Sequence, residues 1–180
     1  FASENAGRYL RQLGSIEDLM NLSADTEMRV VEAPTRQVDL AAAGRLRLDT
    51  DVVYRIVFTR SHDAVPFVLT TVWWPAPVAE LIADRPEVAA GAVSEHTMIG
   101  LLEPHLTEPI TECVQSITAS TADARVSEVL GCPVGHPVLR VDRLYNNSRG
   151  ASVELAISYF LPEHYTYRVT LRRSSGRPAP

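Results

Sequence analysis

Apolar and polar residues alternate along several stretches of the chain, and this two-residue period predicts β-strands. Residues 51–60 and 66–74 form one pair of such stretches, and the polar residues 61–65 between them predict a hairpin turn. Residues 136–145 and 151–160 form a second pair, joined by the turn-forming sequence NNSRG. The pattern therefore predicts two β-hairpins.

A helical signal precedes each hairpin. Residues 37–46 are rich in alanine and contain Gly44 as a stop, whereas residues 121–131 have Thr121 as the expected cap and end at Gly131. Three more helices, two of them with Ser15 and Ser94 as expected caps, and three more strands complete the prediction. They cover residues 14–23, 76–86 and 94–105 (helices) and 27–37, 109–120 and 165–173 (strands).

The two helix–hairpin units lie roughly 85 residues apart, a spacing that indicates a duplicated supersecondary unit. Antiparallel hairpins of both units are expected to share one sheet, with the helices on one face or at the ends. The sequence therefore predicts an α+β domain built from two helix–hairpin pseudo-repeats.

Composition narrows the set of partners. The chain has 180 residues, 46% of them hydrophobic, and a net charge of −5, so it lacks the basic balance that nucleic-acid binding requires. No apolar run is long enough to span a membrane, and two isolated cysteines, Cys113 and Cys132, fit a reducing cytoplasm. We expect a cytoplasmic protein that has no membrane partner and does not bind DNA by itself.

Motifs for catalysis and cofactor binding are lacking in the sequence. It contains no GxSxG, no Walker loop and no GxGxxG, and its five histidines show no metal-ligand spacing. Each histidine is interpreted as a loop or surface residue. The sequence therefore predicts neither an enzyme nor a bound metal or cofactor.

Five charged residues stand inside otherwise apolar strands, where a charge is costly to bury unless it is paired or meets a polar ligand. They are Arg55, Arg60, Arg140, Arg143 and Glu154. Two interpretations remain open. Either the sheet carries a pocket in which Arg60 and Glu154 bind the two ends of a small polar ligand, or these charges lie at the sheet edge and face water or each other.

The chain resembles the UTRA domain, the effector-binding domain of HutC-subfamily regulators in the GntR superfamily. Residues 130–139 read LGCPVGHPVL, which is similar to the family pattern after its second helix. Residues 40–75 resemble the family's first hairpin unit, and GSIEDLM resembles its opening loop. The resemblance extends over nearly the whole chain, and the order of the parts is more specific than any single motif.

This resemblance implies a chorismate-lyase-like α+β fold, a small-molecule inducer bound on the sheet, and a homodimer. It also implies an upstream winged helix-turn-helix module, and DNA binding is expected through that module alone. The first residues, FA, resemble the end of the wing of such a module. The implied organisation is a linker remnant at residues 1–12, the UTRA domain at 13–173 and a flexible tail at 174–180.

The resemblance also implies site residues. Arg60 and Glu154 keep the residues with which family members contact sugar phosphates, and Thr97 is a conservative replacement of a serine. The implied effector-binding set is Phe58, Arg60, Thr70, Thr97, Glu154 and Phe160, together with Ser15 in the opening loop, and Ile99 falls near the position of a family tyrosine. Compared with family members that sense sugar phosphates, the implied pocket lacks one cation, one anion and two hydroxyls. The expected effector is therefore less charged than a sugar phosphate, and a monoanionic, aromatic carboxylate held by Arg60 would fit.

The expected function is therefore effector sensing and dimerisation for a bacterial transcription repressor. Two alternatives remain. One is a lyase-like enzyme on the same fold, with Arg60 and Glu154 as substrate-binding and acid/base groups, although a shared fold is weak evidence for function. The other is a dimerisation module whose pocket has decayed, which a filled or collapsed pocket would favour.

Overall fold

A seven-stranded antiparallel sheet forms most of the structure, a computed structural model that describes residues 9–12 and 26–168. The strands are β1 (Tyr9–Gln12), β2 (Glu27–Val38), β3 (Val52–His62), β4 (Val65–Pro75), β5 (Val93–Ser94), β6 (Ile110–Thr121), β7 (Pro137–Asn147), β8 (Ser152–Phe160) and β9 (Tyr165–Arg168). The large sheet has the order β5-β2-β3-β4-β8-β7-β6, and β1 pairs with β9 in a separate parallel ribbon. The α+β class predicted from the sequence is confirmed.

Four short helices accompany the sheet within residues 26–168. They are α1 (Leu40–Arg45), α2 (Ala76–Ala79), α3 (Met98–Leu102) and α4 (Ala124–Leu130), and single 3₁₀ turns cover Pro86–Val88 and Glu103–His105. None of the helices within the described residues is long and apolar enough to cross a membrane.

The predicted pseudo-repeat is visible in the topology. One unit runs β2-α1-β3-β4 and the other runs β6-α4-β7-β8, and the last strands of the two units, β4 and β8, pair antiparallel at the centre of the sheet. The two helices begin in the same way, with Asp39 and Asp123 each accepting a backbone N–H three residues ahead.

Helices α1 and α4 pack on the same face of the sheet, and each contacts strands of the other unit as well as a strand of its own. Helix α1 buries Ala42 and Leu46 against Leu155 of β8, whereas α4 buries Val126 against Val57 and Leu69 of β3 and β4. Ion pairs reinforce this exchange, since Arg45 of α1 binds Asp142 and Arg125 of α4 binds Glu32. The opposite face is left to the segment that contains α2 and α3.

That opposite face carries the largest apolar cluster. Ile56, Val72 and Trp74 of the sheet pack there against Ile82 and Leu102 of the covering segment. Successive residues of a strand point to opposite faces of the sheet. Val57, Leu69 and Leu155 therefore face the helices α1 and α4, whereas their neighbours in each strand face the opposite side. The covering segment and the sheet together enclose the site described below.

Two predicted helix caps are wrong. Ser94 lies in β5, which pairs with β2, and the cap of α3 is Thr97, whose Oγ1 accepts the Gly100 N–H. Thr121 ends β6, and the cap of α4 is Asp123. In both cases pairing with a neighbouring strand extends the backbone past the expected cap, so that the helix starts later. The end of α4 is as predicted, since Gly131 adopts the left-handed conformation with φ of 68°.

The two ends of the predicted domain differ in what the structure describes. Residues 9–12, within the expected linker, form strand β1 alongside β9. The predicted helix at 14–23 with Ser15, and the predicted tail at 174–180, lie outside the described residues. The linker role of residues 1–12 and the domain boundaries stay predictions.

We expect Asp39→Ala to lower the free energy of unfolding more than Asp123→Ala does. Asp39 Oδ1 accepts the Ala42 N–H at 2.9 Å, and its Oδ2 accepts the indole N–H of Trp73 at 3.0 Å, so two hydrogen bonds are lost. Asp123 caps α4 and accepts no second side-chain hydrogen bond from residues 26–168. Losing a cap costs about 1 kcal/mol and a further bond to a charged group about 1.5 kcal/mol or more.

Urea unfolding followed by circular dichroism measures both losses. Equal losses in the two variants would show that the Trp73 bond contributes nothing to stability.

Candidate functional site

A cavity of about 590 Å³, counting the part open to solvent, lies between the sheet and the segment around α3. Most of its wall is apolar, with aromatic side chains from β3, β4, β7 and β8. Its polar lining residues are Arg60, Thr70, Thr97, Arg143, Glu154 and Ser158. A largely apolar cavity with a few polar groups is the usual form of a small-molecule site.

The cavity gathers the residues that the sequence singled out. Six of the seven line it, from three strands and the cap of α3: Phe58, Arg60, Thr70, Thr97, Glu154 and Phe160. Ile99 lines the cavity as well. The seventh, Ser15, lies outside the described residues. Strand alternation explains the convergence, because the β4–β8 register sets Thr70 opposite Ser158 and the even-numbered residues of both strands share the cavity face. A binding role for each residue stays a prediction.

Arg60 is buried, and its guanidinium group joins three parts of the chain. Nη1 donates to Thr26 Oγ1 at 2.8 Å and lies 3.5 Å from the carbonyl oxygen of Glu95. Nη2 donates to the carbonyl oxygen of His96 at 2.6 Å. Arg60 therefore holds the segment before α3 and the start of β2 against β3.

Glu154 is the most deeply buried carboxylate of the cavity, with 2% of its surface exposed. Its Oε2 accepts the indole N–H of Trp74 at 2.8 Å. Burial raises the pKa of Glu154 to about 7, and the Trp74 hydrogen bond and the charge of Arg143 offset only part of that rise. The carboxyl group is therefore poised to change charge near neutral pH.

Arg143 of β7 is the third charged group of the cavity, and 8% of its surface is exposed. Its Nε donates to Gln115 Oε1 at 2.8 Å, and the amide of Gln115 is oriented in turn by Tyr167, whose hydroxyl accepts from Nε2 at 3.0 Å. Nη2 of Arg143 is buried and has no hydrogen-bond acceptor among the described residues. A charged donor in this state is uncommon in folded proteins.

The remaining strand arginines lie on the helix-covered face. Arg55 pairs with Glu32 at 2.8 Å, and Arg140 pairs with Asp142 at 2.7 Å. The strand charges thus divide between the two faces: Arg60, Arg143 and Glu154 line the cavity, whereas Arg55 and Arg140 pair with carboxylates inside the sheet rather than at its edge. Binding of a ligand by Arg60 and Glu154 stays a prediction.

Comparison with known proteins identifies the family. The UTRA domain family matches residues 22–166. The chain belongs to this family. Among curated relatives, the HTH-type transcriptional regulator Rv0792c of Mycobacterium tuberculosis is 30% identical over 109 residues, which make up 61% of this chain and 39% of that protein. The chain thus spans about two fifths of the length of that regulator.

Solved structures share the fold of this UTRA domain. The ligand-binding domain of a GntR-family transcriptional regulator from Bordetella bronchiseptica superposes with a TM-score of 0.73 at 23% identity, over 92% of this chain and 98% of that one. The effector domain of PhnF from Mycobacterium smegmatis gives 0.74 at 17% identity, over 92% and 100%. The expected fold of regulator ligand-binding domains is confirmed.

The resemblance to the family placed no residue of β7 in the site, and so Arg143 was missed. A signal was present, since Arg143 is one of the five charges inside apolar strands. What the sequence lacked was the pairing of β7 with β8, which sets Arg143 opposite Ala156 and beside Glu154 on the cavity face of this UTRA domain.

Clusters of three or more metal-ligating side chains are not found among the described residues.

We expect Glu154→Gln to flatten the pH dependence of unfolding. Because the folded state holds the Glu154 proton up to about pH 7, against a usual pKa of 4.5, its contribution is most favourable below pH 4.5 and is lost as pH rises through 7. The loss amounts to about 3 kcal/mol at most. Glutamine keeps an acceptor for Trp74 and carries no charge at any pH.

The measurement is the free energy of unfolding in urea between pH 5 and pH 8. Glu128→Gln, an exposed position of α4, is the matched control and should follow the wild type. A Glu154→Gln protein whose stability falls with pH as steeply as the wild type would contradict the assignment.

Proposed function

We propose that this UTRA domain binds a small-molecule effector in the cavity and is the sensing domain of a GntR-superfamily, HutC-type transcriptional regulator. The observation that carries the proposal is the open cavity with three buried charges, Arg60, Arg143 and Glu154, in a chain of this family. The names of similar proteins support it, since one is an HTH-type regulator and two are a ligand-binding and an effector domain.

The effector we propose is a monoanionic, partly apolar carboxylate rather than a sugar phosphate. Phe58, Ile99 and Phe160 line the cavity at positions where the family resemblance implies a cation and two hydroxyls. Two arginines remain to attract one anionic group, and aromatic walls favour a ring beside it.

The signalling mechanism we propose is a population shift in a homodimer. Effector binding favours one arrangement of the domain, and the segment before β2 passes the change to an upstream DNA-binding module. The relative from M. tuberculosis supports such a module, because it is named as an HTH-type regulator and is much longer than this chain. Strand β6 supports dimerisation, since within the described residues it pairs only with β7.

Sedimentation equilibrium tests the dimer directly. We expect a mass twice the 19.8 kDa of one chain at micromolar concentration. A mass of one chain at all concentrations up to about 100 µM would contradict dimerisation through this domain.

The structure bears differently on the two alternatives. An open cavity argues against a decayed pocket, which would be filled or collapsed. The cavity lining does not discriminate against the lyase-like alternative, because it contains both Arg60 and Glu154. Family membership among regulators agrees with a non-enzymatic role.

The test of the proposed function is a thermal-shift screen of this chain against sugar phosphates, amino sugars and small carboxylates. A ligand of the folded state raises the unfolding midpoint by mass action, by about 2.7 kcal/mol of stability at a hundred times its dissociation constant. We expect a carboxylate to do so and Arg60→Ala to weaken the effect, with Arg55→Ala on the opposite face as control.

Each result has a distinct meaning. Sugar phosphates as the sole hits would keep the sensor and refute the carboxylate. Absence of any shift with all three classes would refute effector sensing by this cavity. The midpoint of Arg60→Ala without ligand gives the baseline, because this substitution also removes the bonds to Thr26 and His96.

A further inference from the structure

We propose that Arg143, rather than Arg60, makes the direct contact with the effector's carboxylate, and that Glu154 binds a hydroxyl or amino group of the same molecule. The effector class is then a hydroxy- or amino-substituted carboxylic acid. This inference rests on the proposed function, since it assigns separate binding roles to the charged residues of the same cavity.

The state of Arg143 is the first support. Its side chain lines the cavity, more than nine-tenths of its surface is buried, and its Nη2 meets no acceptor among the described residues. Burying a charged donor without an acceptor is unfavourable, and the penalty is relieved when a ligand oxygen occupies the position. Gln115, held by Tyr167, orients the guanidinium group before any ligand arrives.

The state of Arg60 is the second support. Both of its terminal nitrogens already donate within the protein, Nη1 to Thr26 and Nη2 to the carbonyl oxygen of His96. A carboxylate placed on these nitrogens would compete with bonds that hold the segment before α3. Arg60 is therefore a positioning residue, and its charge acts on the effector at longer range.

The third support is the register of β7 and β8. Arg143 lies opposite Ala156, and Tyr145 lies opposite Glu154, so Arg143 and Glu154 are diagonal neighbours on the same face. Diagonal neighbours are about 7–8 Å apart between Cα atoms, which places an acceptor site and a donor site within the span of one small molecule. Glu154 uses Oε2 for Trp74, and among the described residues no hydrogen bond reaches its other oxygen.

The probes are benzoate, benzamide, and the 3- and 4-hydroxybenzoates, measured by isothermal titration with this chain at constant ionic strength. Benzamide replaces the carboxylate by a neutral group of the same shape, and the hydroxybenzoates add a donor. We expect a hydroxybenzoate to bind at least fivefold more tightly than benzoate, and benzoate at least thirtyfold more tightly than benzamide.

Two substitutions remove one charge each from the same cavity. We expect Arg143→Gln to abolish the preference for benzoate over benzamide, and Arg60→Gln to retain most of that preference. Arg140→Gln, on the opposite face of β7, is the matched control and should bind like the wild type. The ratio of the two affinities separates direct contact from a general loss of stability, which weakens both probes alike.

The contribution of Glu154 is read from the ratio of hydroxybenzoate to benzoate affinity. We expect Glu154→Gln to reduce this ratio at pH 8 and to leave the preference for benzoate over benzamide in place.

Three outcomes would overturn the inference. In the first, Arg143→Gln keeps the preference and Arg60→Gln abolishes it. In the second, no carboxylate binds the wild type saturably while another ligand class in the thermal-shift screen does, which leaves effector sensing intact. In the third, no ligand of any class binds, and the proposed function fails as well.

Discussion

The antiparallel pairing of β4 with β8 is the contact on which the rest of this structure depends. It joins the two pseudo-repeats at the centre of the sheet, with Thr70 opposite Ser158. The two hydroxyls form a hydrogen bond of 2.8 Å across that pair. A shift of one residue in this register would turn the side chains of one strand over relative to the other, so that Thr70 and Glu154 would no longer share the cavity face.

The exchange of helices between the units follows from the same pairing. Because α1 packs on Val53 of β3 and Leu155 of β8, and α4 packs on β3 and β4, both helices cover one face, and the other face is free to form a cavity. Arg55 and Arg140 on the helix-covered face pair with carboxylates that remain partly exposed to solvent, where an ion pair contributes little to stability. Charges on the cavity face are buried, and their desolvation is only partly offset.

The three buried charges differ in how they are satisfied, and this difference separates structural from ligand-directed roles. Arg60 has its acceptors in the protein, Glu154 has one donor in Trp74, and Arg143 has a nitrogen without an acceptor among the described residues. Ligand-binding sites often keep polar groups whose hydrogen bonds are incomplete within the protein, at a cost in stability.

The sequence by itself determined the parts that depend on local periodicity. The alternation of apolar and polar residues predicted both hairpins, because successive side chains of a strand point to opposite faces. The tertiary structure alone decided which strands adjoin, and hence that Arg143 lies beside Glu154. It also decided that Thr97 rather than Ser94 caps α3, because pairing of β5 with β2 keeps Ser94 extended. Register and long-range pairing are set by contacts between residues far apart in the chain, which local patterns do not encode.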